Sequence, residues 1–391
     1  MIQPERLTEH YRRFRVSERI LLTGHSHQAW PDVGFEAQAR SWLDAAELVD
    51  DMWERAFAQA DAVRQGFARL LGDAPERIAL AANTHELVVR FLSALPLRKR
   101  PRLVTTDGEF HTIRRQLDRL AEEGIEVVKV AHGPAATLAE RLAGAVDGRT
   151  SAVLVSAVLY GNAHIVTNLG TVLTAAKRVG AELLVDAYHA LNVVPFLLTN
   201  ERLEGAYVVG GGYKYCQLGG GNGFLRMPAD CDLRPVITGW FSEFTDLTQA
   251  APKGRVEYGP GPARFAGATY DPVSHYRAAA VFSFFEHQKL TPEKLRGLSL
   301  HQIGLLAKEF DALDADPKVI SRDRTVPLEG LGGFLALRTP HAARLHAALK
   351  ERGVMTDYRA EVLRLGPAPY VTDQQLTEAV AALGDALRKS P

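Results

Sequence analysis

The chain has 391 residues and carries 46 Lys plus Arg against 46 Asp plus Glu, a formal charge of zero at pH 7. That balance excludes a nucleic-acid or membrane-surface role resting on bulk charge, and two cysteines, Cys216 and Cys231, exclude a disulfide framework or a cysteine-rich zinc site. Its length predicts two domains or one large domain with an appendage, and no apolar run approaches the ~20 residues of a membrane span.

In chain order, residues 1–35 read as irregular and polar, with His25, Ser26 and His27 ahead of Trp30 and Pro31. Met1 to Arg6 has no apolar core of the kind a signal peptide needs, so the expected location is the cytoplasm. Over 35–71, Trp42, Leu43, Ala46, Val49, Met52, Trp53 and Phe57 recur at three- and four-residue steps, a helical period. Short apolar runs then alternate with amphipathic stretches. Strands are expected at 78–82, 102–106, 126–130, 152–158, 182–186, 206–209 and 223–227, and helices at 84–95, 111–123, 137–145 and 169–179. This alternation implies an α/β fold with a mainly parallel sheet covered on both faces. Residues 251–272, rich in proline and glycine, read as a long loop. Helices at 274–287 and 292–313, strands near 334–338, 354–358 and 362–365, and a last helix at 373–389 predict a small α+β C-terminal domain. The expected division is an N-terminal arm and helix at 1–60, a large domain at 61–272 and the small domain at 273–391.

The densest chemistry lies at 208–221, where an apolar run meets three glycines, then Tyr213-Lys214-Tyr215, then three more glycines. Glycine on both sides lets the backbone approach a ligand closely, and a lysine held away from water loses its proton more easily and becomes nucleophilic. A surface turn with a solvated lysine is the ordinary alternative. Upstream, Leu183-Leu184-Val185-Asp186 is an apolar strand ending in a carboxylate, where open α/β sheets bind ligands. For Asp186 alone, a cap on the following turn is the common role. A strand ending in aspartate, followed one strand later by lysine, can hold both ends of a pyridoxal phosphate ring. The carboxylate keeps the ring nitrogen protonated and the lysine bonds the cofactor. Other signatures fail. Lys214 is followed by Tyr215, so there is no P-loop. His85-Glu86-Leu87-Val88-Val89 lacks the second histidine of a zincin, and Gly24-His25-Ser26-His27-Gln28 lacks the final glycine of a nucleophile elbow. No metal site is expected.

Asp186-Ala187-Tyr188-His189, Gly212-Tyr213-Lys214-Tyr215 and Gly239-Trp240-Phe241, with Glu109-Phe110-His111-Thr112 and Arg364-Leu365-Gly366, together resemble the class V branch of fold-type-I pyridoxal-phosphate enzymes, and within it the kynureninases. The resemblance covers nearly the whole chain. It implies Lys214 as the lysine that carries the cofactor, Asp186 as the partner of the pyridine nitrogen, and His189 as a polar contact near the phenolic oxygen. It implies His111 stacked on the ring, although a histidine opening a helix with no ligand fits that position too. The turn at Asn83, Thr84 and His85 offers backbone N–H groups and the Thr84 hydroxyl to the phosphate, and Asn83 or Thr84 is equally placed to cap the helix. Tyr213 resembles a phosphate-contacting tyrosine. Trp240 resembles a residue reaching the partner subunit's phosphate, with Thr269 beside it, which implies a homodimer with shared active sites. Arg364 resembles the arginine that grips a substrate α-carboxylate. The implied reaction is hydrolysis of a Cβ–Cγ bond in an amino acid, with an aminotransferase or β-lyase as the alternative.

Three stretches depart from the kynureninase pattern. Gly24-His25-Ser26-His27-Gln28 stands for Gly-Asn-Ser-Leu-Gly, Gly267-Ala268-Thr269-Tyr270 replaces a Ser-Asn, and Phe110-His111-Thr112-Ile113 replaces Phe-Pro-Thr-Asp. All lie in or near the expected aryl pocket, so the sequence supports the machinery better than the substrate. Cysteine desulfuration fits poorly, because 354–363 has no cysteine to supply the mobile thiol. A cofactor-free binding protein on a degenerate fold is the competing class, and the intact Asp186 and Lys214 argue against it.

Overall fold

The computed structural model describes residues 2–246 and 254–388. The strands in chain order are β1 (Ile20–Leu21), β2 (Ile78–Ala81), β3 (Arg102–Thr106), β4 (Glu126–Val130), β5 (Thr150–Ser156), β6 (Glu182–Asp186), β7 (Tyr207–Gly211), β8 (Gly223–Arg226), β9 (Ser321–Arg322), β10 (Leu335–Arg338), β11 (Val354–Met355), β12 (Asp357–Arg359) and β13 (Val362–Leu365). Seven of them form one sheet in the order β2-β8-β7-β6-β5-β3-β4. Only β8 runs against the others, pairing antiparallel with both β7 and β2. The inner strands β5 and β7 are buried along their whole length, as expected of parallel strands covered on both faces. One apolar cluster joins Val153, Val155, Leu183 and Val185 to helices on one face, and a second joins Leu154, Leu184 and Val209 to Leu87, Phe91 and Leu117 on the other. All parallel strands thus end at one edge, and β8 begins there.

The smaller sheet has the order β12-β13-β10-β9, entirely antiparallel. The helices Pro292–Ala312 and Asp373–Arg388 pack against each other beside it. The expected end of the last helix at 389, and residues 251–253 of the loop, lie outside the described residues.

Three expectations change. The helical pattern at 35–71 is two helices, Val33–Leu48 and Met52–Leu71, joined by a tighter turn at Val49–Asp51. Val49 sits at φ 53°, which no helix tolerates and a β-branched residue rarely adopts. The strand expected at 354–358 is two strands in different sheets, β11 and β12. The irregular N-terminal stretch contains β1, which pairs in parallel with β11 through Ile20–Val354 and Leu21–Met355. Its course continues with Gly366 N–H donating to the Leu22 carbonyl and Gly24 N–H to the Gly366 carbonyl, both at 2.8 Å. The helix Ala342–Glu351 adds an element that the sequence reading did not contain, although its buried Ala342, Leu345 and Leu349 carry a helical period.

Candidate active site

At the carboxyl edge of the large sheet lies a cavity of about 320 Å³. Asn83, Thr84, His85, Phe110, Asp186, Tyr188, His189, Tyr213 and Lys214 line it, together with Gly220 to Gly223. Asp186 ends β6, and Lys214 stands three residues past β7, the strand beside it. Parallel register alone therefore brings these two side chains to one crevice.

Lys214 is 4% exposed, and its Nζ lies 2.9 Å from His189 Nε2. Rings of Tyr188, Phe110 and Tyr213 surround the amine, with centroids 4.7, 5.1 and 5.8 Å away. Burial lowers the lysine pKa, Asp186 pulls it back, and Arg364 and Arg359 depress it again, leaving it at about 7. Burial also raises Asp186, against the pull of a hydrogen bond from the Tyr188 N–H (2.8 Å) and of the Lys214 charge. His189 is held well below the usual imidazole range by burial and by the Lys214 charge, so it is neutral and able to share the lysine proton. Beneath Asp186, Glu109 is buried and accepts from Thr106 Oγ1 (2.7 Å), Ser156 Oγ (2.6 Å) and Ser156 N–H (3.2 Å). Burial raises it to about 7.

The helix Thr84–Ala94 starts at the cavity. Asn83 Oδ1 accepts from Glu86 N–H and Asn83 Nδ2 donates to Glu86 Oε1, both at 3.0 Å, a reciprocal cap. The Thr84 hydroxyl donates to the Gly210 carbonyl at 3.0 Å. Both side chains are thus committed within the protein, and an anion here would meet backbone N–H groups instead. Glycine is required at Gly223, where a Cβ would fall 2.5 Å from the Asn83 backbone and close the helix start against β8. Gly211 makes a similar space, occupied by the Tyr188 hydroxyl 2.5 Å from where a Cβ would stand.

Not every expected residue converges here. His111 is exposed at the start of its helix and sits 3.1 Å from an Arg114 guanidinium nitrogen. The ring that lines the cavity belongs to its neighbour Phe110, and His111 is not among the lining residues. Trp240 packs on Phe241 with ring centroids 4.3 Å apart and is 45% exposed. Thr269 is exposed, and neither residue lines the cavity of its own chain.

Arg364, on β13, is buried. It donates to the Tyr160 carbonyl at 2.7 Å and pairs with Asp357 at 2.5 Å, while its charge reaches both Lys214 and His189. Asp357 also takes a hydrogen bond from Arg359 at 2.6 Å. Neither Arg364 nor these partners line the cavity itself. Sequence reasoning missed Tyr188 and Phe110 as lining residues, and Asp357 and Arg359 as partners of Arg364. Tyr188 and Phe110 each adjoin a residue that it did single out.

A family model described as the kynureninase C-terminal domain matches residues 298–383. The chain is 22% identical over 387 residues to an uncharacterized aminotransferase, YcbU, of Bacillus subtilis, covering 96% of this chain and 97% of that protein. It is 25% identical over 337 residues to a kynureninase of Bacillus cereus, covering 81% of this chain and 75% of the relative. Among solved structures, a mutant of C-DES with glycine covalently linked to its PLP cofactor superposes with a TM-score of 0.83 at 17% identity, covering 96% of this chain and 98% of that one.

Proposed function

We propose that this chain, which has the fold of the fold-type-I pyridoxal-phosphate enzymes and resembles the kynureninases, binds pyridoxal 5'-phosphate and acts on an α-amino acid. The observation that carries the reading is Lys214, a buried amine brought to about 7 with Asp186 on the adjacent strand and an aromatic-walled cavity above both. The residues present fit the cofactor. Asp186 would face the pyridine nitrogen, Lys214 would bond the cofactor, and Phe110 would cover the ring. Tyr213, the neighbouring Tyr188 and the backbone N–H groups of Thr84 and His85 would surround the phosphate. The bound cofactor supplies an electron sink for the carbanion left when an α-proton departs. The Lys214 amine, uncharged in a useful fraction near neutral pH, takes that proton, and His189 at 2.9 Å shares it. Arg364 holds the substrate carboxylate and so fixes which bond at Cα lies nearest Lys214.

The finer reading is a kynureninase-like hydrolase that cleaves a Cβ–Cγ bond and releases alanine, working in the cytoplasm. The match at 298–383, which includes Arg364, favours it. Aminotransfer or β-elimination is the second reading, favoured by the near full-length likeness to YcbU. Purified protein incubated with a panel of amino acids that includes kynurenine separates them. Alanine with an aromatic product supports hydrolysis, a keto acid with amino transfer supports the second reading, and ammonia with pyruvate supports elimination.

The working unit in this reading is a homodimer whose sites are shared. Trp42 (78% exposed), Leu43, Val49, Val236, Ile237 and Trp240 leave apolar surface that a second copy would cover. Mixing inactive Lys214→Ala chains with inactive chains carrying Trp240→Ala and Thr269→Arg should restore one intact centre per heterodimer. Activity near half of wild type is expected. No recovery despite subunit exchange would mean that each chain completes its own site.

A further inference from the structure

His25 lies beside Asp357, close to His189 and Arg364, and takes no part in the chemistry above. It is buried, and neither ring nitrogen has a hydrogen-bond partner. Its Nε2 stands 3.6 Å from Asp357 Oδ2, just beyond bonding reach, and its ring lies 4.5 Å from that of Phe334. The position is built tightly. A Cβ on Gly366 would fall 2.1 Å from His25 Nδ1, and one on Gly24 would fall 2.5 Å from the Pro367 carbonyl.

The charged and titratable groups facing His25 come from three directions. Asp357 arrives from β12 and Arg364 from β13, while Lys214 and His189 reach it from the large-sheet edge. Asp357 is already engaged with Arg364 and Arg359, and against the effect of burial the nearby His25 ring, then Arg364 and Arg359, hold its carboxyl well below the usual range. Burial, together with the Arg364 and Lys214 charges, outweighs Asp357 and keeps His25 neutral, at about 4. A buried polar group without a partner carries a cost that a protein seldom leaves unrelieved. The relief is one short movement away, because Asp357 is a carboxylate occupying the arginine that the proposed function gives to the substrate carboxylate.

We propose that His25 is a positioning residue for the substrate carboxylate: when that carboxylate takes Arg364, Asp357 turns to His25, which binds one proton and holds Asp357 aside as an imidazolium–carboxylate pair. The inference rests on the Arg364 assignment. The exchange balances. Arg364 trades one carboxylate partner for another, solvent supplies one proton to His25, and the extra negative charge brought into the buried cluster is neutralised there. Binding of the carboxylate is then linked to proton uptake. Asp357 acts as an internal ligand that keeps Arg364 in place until substrate arrives.

The test is calorimetric titration of the cofactor-loaded enzyme with propionate, a carboxylate that has no amine. At pH 7, runs in two buffers of different ionisation heat give the protons taken up per ligand, while the cofactor's absorption separately reports any change in its own protonation. Wild type should take up close to one proton beyond that accounted for by the cofactor. Its affinity should weaken by up to tenfold for each pH unit of rise. In His25→Asn, and in His25→Gln should the first variant fold poorly, that uptake and that slope should vanish. Asp357→Asn should abolish the uptake with His25 still present. Unchanged uptake in the folded His25 variants overturns the inference alone. Wild-type affinity for propionate in Arg364→Lys overturns the carboxylate assignment and the inference with it.

Discussion

The Lys214 cavity is walled by the carboxyl edge of the seven-stranded sheet, and a second wall, a seam between the N-terminal strand and the four-stranded sheet, stands close enough for its charges to reach Lys214 and His189. On the first wall, Asp186 and Lys214 are placed by backbone pairing of adjacent strands, and Asn83 by a cap on its own helix. On the second, Asp357 and Arg364 face each other across β12 and β13, and His25 joins them because β1 docks beside β11 and Gly366. The first wall is local and tolerates change at its rim. The second is assembled from both ends of the chain, and its polar groups balance one another's charge with little room to spare. In the reading proposed above, chemistry that must be held rigid stands on the sheet, and binding that must exchange partners stands on the seam.

The largest effect expected on the first wall follows from Lys214→Ala. Turnover and the cofactor's characteristic absorption in the bound state should both be lost while the circular dichroism spectrum stays native. Normal turnover in that variant would remove Lys214 from the chemistry. Asp186→Ala should slow exchange of the substrate α-proton with deuterium by at least ~10²-fold, the order expected for loss of one preorganised charge. Unchanged exchange would reduce Asp186 to a turn cap.

The second wall should break through packing rather than chemistry. Gly366→Ala would drive a methyl group into the His25 ring and should lower stability by about 1–3 kcal/mol, the range for overpacking. Denaturant melts would show this alongside weakened binding of carboxylate ligands. A melt matching wild type would mean that the seam yields easily. An effect of comparable size concerns pH, and it lies on the first wall. Burial raises Glu109 from the ordinary 4.5 to about 7, so between those values the folded state holds more protons than the unfolded chain. Stability should therefore fall as pH rises through that window, by roughly 3 kcal/mol at most. In Glu109→Gln this contribution should be absent, which melts at pH 5 and pH 8 would reveal as a flatter profile.

The difference between the walls also decides what the sequence disclosed. Strand ends at Asp186 and near Lys214 follow from apolar runs bounded by glycine and by a carboxylate, and the strands observed at 102–106, 126–130 and 182–186 coincide with those read from the pattern. The C-terminal domain's match to a family model, and the fold shared with C-DES, agree with the resemblance drawn from the short motifs. His25 was visible as part of a failed nucleophile elbow and of a departure from the kynureninase pattern, but not as a partner of Asp357, because nothing in a polar stretch announces a two-residue strand whose partner lies in the C-terminal region. Asp357 and Arg359 belonged to no motif, and the strand read at 354–358 stopped short of Arg359. Phe110 rather than His111 lines the cavity because the helix begins at His111, which leaves the histidine exposed. Val49, an apolar residue in helical phase, concealed a break that only its backbone angle reveals.

The pairing of β1 with β11 bears on how such chains can be recombined. A chimera that imports residues 298–383 from a relative inherits one half of a ladder whose other half, Ile20–Leu21, remains native. Foreign residues would then face the native Leu22 and Gly24 at the position of Gly366. Crossover points that preserve function should therefore come in pairs, with residues 20–25 travelling together with the C-terminal segment. A library built on single crossovers should be depleted of active members at every junction that separates them.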